Sequence, residues 1–127
     1  MNIVLADHHE QPRLALDTLL KEYAELDSIE EAVDAHGLLK LVEKNSVRLV
    51  LIDAELPGCP ILDLISHIDS LEPRPYICIM SSDNTTSRLL LNAGADIFIS
   101  KVDDPAWLVG KLEDVIYQSR KLKGGCG

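Results

Sequence analysis

The segment Leu49-Val-Leu-Ile52 is apolar at every position and closes on a charge, Asp53. A strand with one wet face alternates polar and apolar residues; an unbroken apolar run bounded by polar residues fits a strand covered on both faces. Such a strand belongs at the centre of a parallel sheet with helices on each side. That requirement dictates its surroundings: more short apolar runs, separated by amphipathic segments long enough to form crossover helices. At 127 residues the chain has room for them within one domain and one substantial core.

The remaining elements follow in order. Ile3-Val-Leu-Ala6 is a short buried strand, and Pro12 suits the first turn of the helix after it, where a missing N–H costs nothing. Leu16, Leu19, Leu20 and Tyr23 recur at helical spacing. Ser28-Ile-Glu-Glu-Ala-Val33 is a polar strand that fits a sheet edge better than its middle. A second helix covers Ala35 to Lys44, with Leu38, Leu39, Leu41 and Val42 inward, and Leu62, Ile65 and Ile68 mark a third. Pro73 and Pro75 break the chain before the strand Tyr76–Met80. Ser81-Ser-Asp-Asn84 offers caps for a fourth helix that contains Leu89–Leu91 and ends near Gly94. Ile97-Phe-Ile99 is the fifth strand. Asp104-Pro105 opens a last helix, with Leu108, Leu112, Val115 and Ile116 inward and Trp107 off the stripe. Strand-then-helix repeats joined by right-handed crossovers predict an α/β fold, a doubly wound five-stranded parallel sheet with five helices.

Asp7, Asp53 and Lys101 each stand at the end of an apolar run. In an open parallel sheet those ends share one crevice, where ligands and chemistry collect. The balance of 21 acidic to 12 basic residues, a formal charge of −9, disfavours nucleic-acid binding by this domain. No apolar run approaches the ~20 residues that span a bilayer, and no basic leader precedes a hydrophobic stretch, so the chain reads as cytoplasmic, with no membrane partner. Three cysteines do not suggest a disulfide framework: Cys78 fits a buried strand, Cys59 a loop and Cys126 an exposed tail.

Four motifs occur in a telling order: Ile3-Val-Leu-Ala-Asp7; Leu49-Val-Leu-Ile-Asp53 followed by Leu56-Pro57-Gly58; Ile77–Ser81; and Gly94-Ala-Asp-Ile-Phe-Ile-Ser-Lys101. With them the chain resembles the receiver domain of two-component response regulators over residues 1–122, followed by a flexible tail at 123–127. The resemblance implies the flavodoxin-like strand order 2-1-3-4-5. It implies that Asp53 accepts a phosphoryl group from a sensor histidine kinase or a small phosphodonor, the only other chemistry being slow self-dephosphorylation. Asp7, Asp53 and the backbone carbonyl of Glu55 would hold Mg²⁺, and Lys101 would set its ammonium against the phosphoryl oxygens. Ser81 would donate its hydroxyl to one of them, and Phe98 would be the switching aromatic that changes an output face. That face, formed by helix four, strand five and helix five, is where the resemblance places a homodimer contact.

The chain departs from the pattern at several points. His8 stands where the family has the second of two adjacent acids, which predicts weak Mg²⁺ binding. Val102 replaces a frequent proline, so no cis peptide is expected there, and Ile61 takes a position often held by glycine. The stretch from Ser81 to Gly94 is short, which suggests a trimmed loop or fourth helix. These changes keep a second reading open, a degenerate pseudo-receiver acting as a phosphorylation-independent dimerisation or interaction module. Asp7-His8-His9 also resembles the start of a cobalamin-binding signature, but Pro12 stands near the point where that signature needs glycine. A stand-alone receiver and the front of a longer regulator are both compatible with the chain.

Overall fold

A computed structural model describes residues 2–22, 26, 28–44, 46–101 and 110–118. Strand and helix alternate: β1 (Asn2–Ala6), α1 (Glu10–Leu20), β2 (Ser28–Ala32), α2 (Ala35–Lys44), β3 (Leu49–Asp53), α3 (Ile61–Asp69), β4 (Tyr76–Ser81), α4 (Ser87–Asn92) and β5 (Ile97–Ser100). A further helix, α5, runs over 110–118. The five strands are parallel, in the order β2-β1-β3-β4-β5.

The period-two alternation of a strand sends its side chains into two core layers. Val4, Ala6, Val50, Ile52, Ile77 and Ile79 pack with Leu38 and Val42 of α2 and with Leu64, Ile65 and Ile68 of α3. On the other face Ile3, Leu5, Leu49, Leu51, Cys78 and Met80 meet Leu16 and Leu20 of α1 and Leu112, Val115 and Ile116 of α5. Every residue of β3 is buried, as its unbroken apolar run requires. The polar β2 lies at the sheet edge, where Glu30 and Glu31 stay partly exposed.

The first helix begins at Glu10, so Pro12 lies in its first turn as expected. Two local expectations change. In α3 the deeply buried positions are Leu64, Ile65 and Ile68, while Leu62 is only partly covered. The polar cluster after β4 does not cap α4. Ser81 ends the strand, and Asp83 accepts bonds from the Thr85 N–H (2.9 Å) and hydroxyl (2.6 Å), an Asx-type turn that opens a 3₁₀ turn at Asn84–Thr86. The six-residue α4 then starts at Ser87 without a side-chain cap. Tyr23, Val102, Asp104, Pro105, Trp107, Leu108, Cys126 and the tail 123–127 lie outside the described residues. Among the described residues no helix is long and apolar enough to cross a membrane.

Candidate functional site

Backbone bonds carry the sheet ladder one residue past the strands. The Asp7 N–H donates to the Ala32 carbonyl (3.0 Å), the Ala54 N–H to Met80 (2.8 Å) and the Lys101 N–H to Ser81 (2.8 Å). Asp7, Asp53, Ser81 and Lys101 therefore emerge along one rim, the carboxyl end of the parallel sheet. The loop after Asp53 is fixed in turn. The Glu55 N–H donates to Asp53 Oδ1 (2.8 Å), and the Pro57 carbonyl accepts from the Ala35 N–H at the start of α2 (2.9 Å). Gly58 makes that docking feasible. Its φ of +107° is one that side chains rarely adopt, and a Cβ there would stand 3.3 Å from the Ala35 nitrogen.

The three charges anticipated from the strand ends meet. Lys101 Nζ lies 2.9 Å from Asp7 Oδ2 and 2.5 Å from Asp53 Oδ2. Asp7 is fully buried and Asp53 is 3% exposed. Burial alone would lift the Asp7 carboxyl, but the Lys101 ammonium and the His9 N–H outweigh it and hold the group below its ordinary range. Burial likewise works against the Lys101 ammonium, and the two carboxylates more than offset it, raising its pKa.

A fourth group joins them. The backbone N–H of His9 donates to Asp7 Oδ1 (2.8 Å), and its Nδ1 lies 3.0 Å from the same oxygen and 3.4 Å from Asp53 Oδ2. The Asp7 carboxylate raises the affinity of this ring for a proton. Sequence reasoning had singled out His8, whose exposed ring stands edge-on to His9 with centroids 5.6 Å apart. The signal for His9 was its spacing, since an aspartate readily accepts from the N–H two residues on and folds that residue back over itself.

Of the other anticipated residues, Ser81 is buried and its Oγ accepts from the Asp83 N–H at 3.0 Å. Glu55 has an exposed side chain, with its backbone in the loop beside Asp53. Phe98 pairs in register with Ile79 and packs, partly buried, against the core layer of α2 and α3. Cys78 is buried in the opposite core layer, against α1 and α5, and burial pushes its thiol up, away from reactivity.

One support of the site was not legible in the sequence. The Arg13 guanidinium donates to Glu31 of β2 (2.5 Å) and to the carbonyl of Asp7 (3.0 Å), tying the β1–α1 loop to the edge strand. A hydrogen bond with Asp17 raises the Glu31 carboxyl and lowers that of Asp17, whose other neighbour is Lys21 Nζ at 3.1 Å. Removing the guanidinium leaves two acids facing each other and frees the Asp7 backbone. Arg13→Ala is expected to lose about 1–3 kcal/mol in urea unfolding. Arg13→Lys should recover little, because one ammonium does not span both acceptors as the fork does.

With this geometry in hand, the comparison with known proteins is direct. Residues 3–113 match the response regulator receiver domain. The chain belongs to that family. It is 26% identical over 105 residues to the Fimbriae Z protein of Salmonella typhimurium, covering 81% of this chain and 50% of that protein. It is 29% identical over 118 residues to the transcriptional activator protein ExaE of Pseudomonas putida, covering 91% of this chain and 55% of that one. The chain thus spans about half the length of these curated relatives. The response regulatory domain of protein mrkE from Klebsiella pneumoniae shares the fold, with a TM-score of 0.84 at 15% identity, covering 95% of this chain and 99% of that one. Receiver domains act in two-component signalling as switches and hold a divalent cation in an acidic pocket. Here Asp7, His9 and Asp53 bring one ligand atom each within 4.8 Å of one another, a donor set that fits such an ion.

Proposed function

We propose that Asp53 is the phosphoacceptor of this receiver domain and that a histidine kinase is its donor. The observation that carries the reading is the contact of one ammonium, Lys101, with both buried carboxylates at the sheet rim. Asp53 presents two oxygens at the rim, Oδ1 accepting from the Glu55 N–H and Oδ2 under Lys101, and the one that does not ligate the cation attacks. Its lone pair forms the new P–O bond while the P–N bond of the phosphohistidine breaks, and the departing imidazole retains the electron pair and takes up a proton. Little covalent help is needed; such transfer depends on positioning and on neutralising charge. Lys101 supplies one positive charge and shifts from the carboxylate to the phosphoryl oxygens. Asp7, Asp53 and the Glu55 carbonyl would hold the divalent cation, whose chemistry is to neutralise the remaining charge. Slow hydrolysis of the acyl phosphate resets the domain.

The new group adds about −1.5 to −2 charge and three strong acceptors next to Ser81. Drawing the Ser81 hydroxyl inward makes room for Phe98 to turn toward it, and the face of α4, β5 and α5 changes its affinity for a partner. Leu89, Leu91 and Tyr117, exposed on those helices, support that face as the output and homodimer surface. His8 in place of an acid is the observation that favours the other reading, a module that works unphosphorylated. Incubation with phosphoramidate and a divalent cation, followed by intact mass measurement, separates the two. The phosphoacceptor reading predicts one added phosphoryl group, absent in Asp53→Asn. No adduct from phosphoramidate, acetyl phosphate or a phosphorylated kinase would select the second.

A further inference from the structure

We infer that this pocket selects a divalent first-row transition-metal ion over Mg²⁺, with His9 Nδ1 as a direct ligand beside Asp7 and Asp53. The inference deepens the phosphoacceptor reading and rests on it for the site's purpose, not for its geometry.

The spacing is the first argument. Two ligands bonded to one ion at about 2.1 Å lie about 3.0 Å apart at adjacent corners of an octahedron and about 3.4 Å apart in a tetrahedron. His9 Nδ1 stands 3.0 Å from Asp7 Oδ1 and 3.4 Å from Asp53 Oδ2. Both separations fall in the range of ligands that share one ion, and one ligand atom from each of the three residues lies within 4.8 Å of the others. The ring is anchored there as well, because the His9 N–H bonds Asp7 Oδ1 at 2.8 Å and fixes the loop geometry that folds the side chain back.

Charge is the second argument. Two carboxylates and one ammonium leave the cluster near −1, a small return for stripping water from Mg²⁺, a hard ion that dehydrates reluctantly. Imidazole adds no charge, and Mg²⁺ gains little from it. Mn²⁺, Co²⁺ and Zn²⁺ accept nitrogen together with carboxylate oxygen, and for them a third donor at this distance tightens binding. The carboxylates are buried, and receiving the ion requires release of the Lys101 contacts and of the proton His9 Nδ1 shares with Asp7 Oδ1.

Co²⁺ and Mg²⁺ are the probes, each titrated into the full chain by calorimetry, with Co²⁺ followed also through its visible ligand-field bands. Any site with nitrogen or oxygen donors prefers Co²⁺ somewhat, so the decisive quantity is the ratio of the two affinities in the native chain and in His9→Ala. Removing the ligand is expected to shrink that ratio by at least the roughly tenfold that loss of a mere outer-shell partner costs, and to alter the Co²⁺ spectrum. His9→Gln, checked by circular dichroism and urea unfolding like the first variant, guards against a misfolded loop. An unchanged ratio and spectrum in both variants, or no binding of either ion to the native chain, would overturn the inference. Phosphorylation of Asp53 with Mg²⁺ alongside an unchanged ratio would sink the metal preference and leave the phosphoacceptor reading standing. A His9-dependent Co²⁺ site on a chain that takes no phosphoryl group would do the reverse.

Discussion

Lys101→Met is expected to destabilise the domain by about 3 kcal/mol at neutral pH and to slow phosphorylation of Asp53 by about 10²-fold. Both effects come from one contact pair. The ammonium lies between Asp7 and Asp53 at 2.9 and 2.5 Å, and its removal leaves two almost fully buried carboxylates with only the half-exposed His9 ring beside them. The pH dependence follows from the directions of the shifts. Asp7 is lowered in the fold, so its contribution is present above its ordinary value of 3.8 and is lost as pH falls through the folded pKa. Lys101 is raised, so its contribution is complete below its ordinary value of 10.5 and is lost as pH rises through the folded one. The pair therefore stabilises the native protein across the window between those limits. In Lys101→Met the Asp7 carboxyl should rise, because the His9 N–H remains but the ammonium that chiefly offsets burial is gone. The stability gap between variant and native chain should close as pH falls below about 4 and the Asp7 carboxyl protonates. Urea unfolding at a series of pH values reads this directly, and a gap independent of pH would contradict it. Millimolar divalent cation should restore part of the loss by replacing the missing charge.

The second large effect is structural. Ile52→Ala is expected to cost about 2–5 kcal/mol, seen as a lower urea midpoint with an unchanged slope. Ile52 is fully buried in β3, packed in the layer under α2 and α3, and the backbone that would have to close the cavity is held by ladders on both sides. Leu89→Ala on α4 is the contrast. That side chain is 55% exposed, and its truncation should stay within about 0.5 kcal/mol. Similar costs at the two positions would mean that β3 is not the centre of the core.

The sheet was legible because its information is local. Unbroken apolar runs in β1, β3 and β4 require two covering layers, the polar run Ser28–Ala32 requires an edge, and strand direction then brings the run-ending charges to one rim. What was not legible depends on pairings across the chain or on loop direction. Ser81-Ser-Asp-Asn84 carries the residue types of a helix cap, yet the chain spends Asp83 on an Asx-type turn and Ser81 on the strand. Glu31 looks like solvated edge polarity until Arg13 and Asp17, both on α1, are seen against it. His9 looks like one of two loop histidines, and only its backbone bond to Asp7 shows which ring turns inward. In each case residue type set the repertoire and a tertiary partner made the choice.

The claim on which the functional account depends is that Asp53, among all the acids of this chain, carries the phosphoryl group. Borohydride reduction of the phosphorylated chain converts an aspartyl phosphate to homoserine, and peptide mass spectrometry locates the converted residue. The account predicts homoserine at position 53 alone, and none in Asp53→Asn. Conversion at another aspartate, or a phosphoryl group retained elsewhere with position 53 untouched, would contradict it.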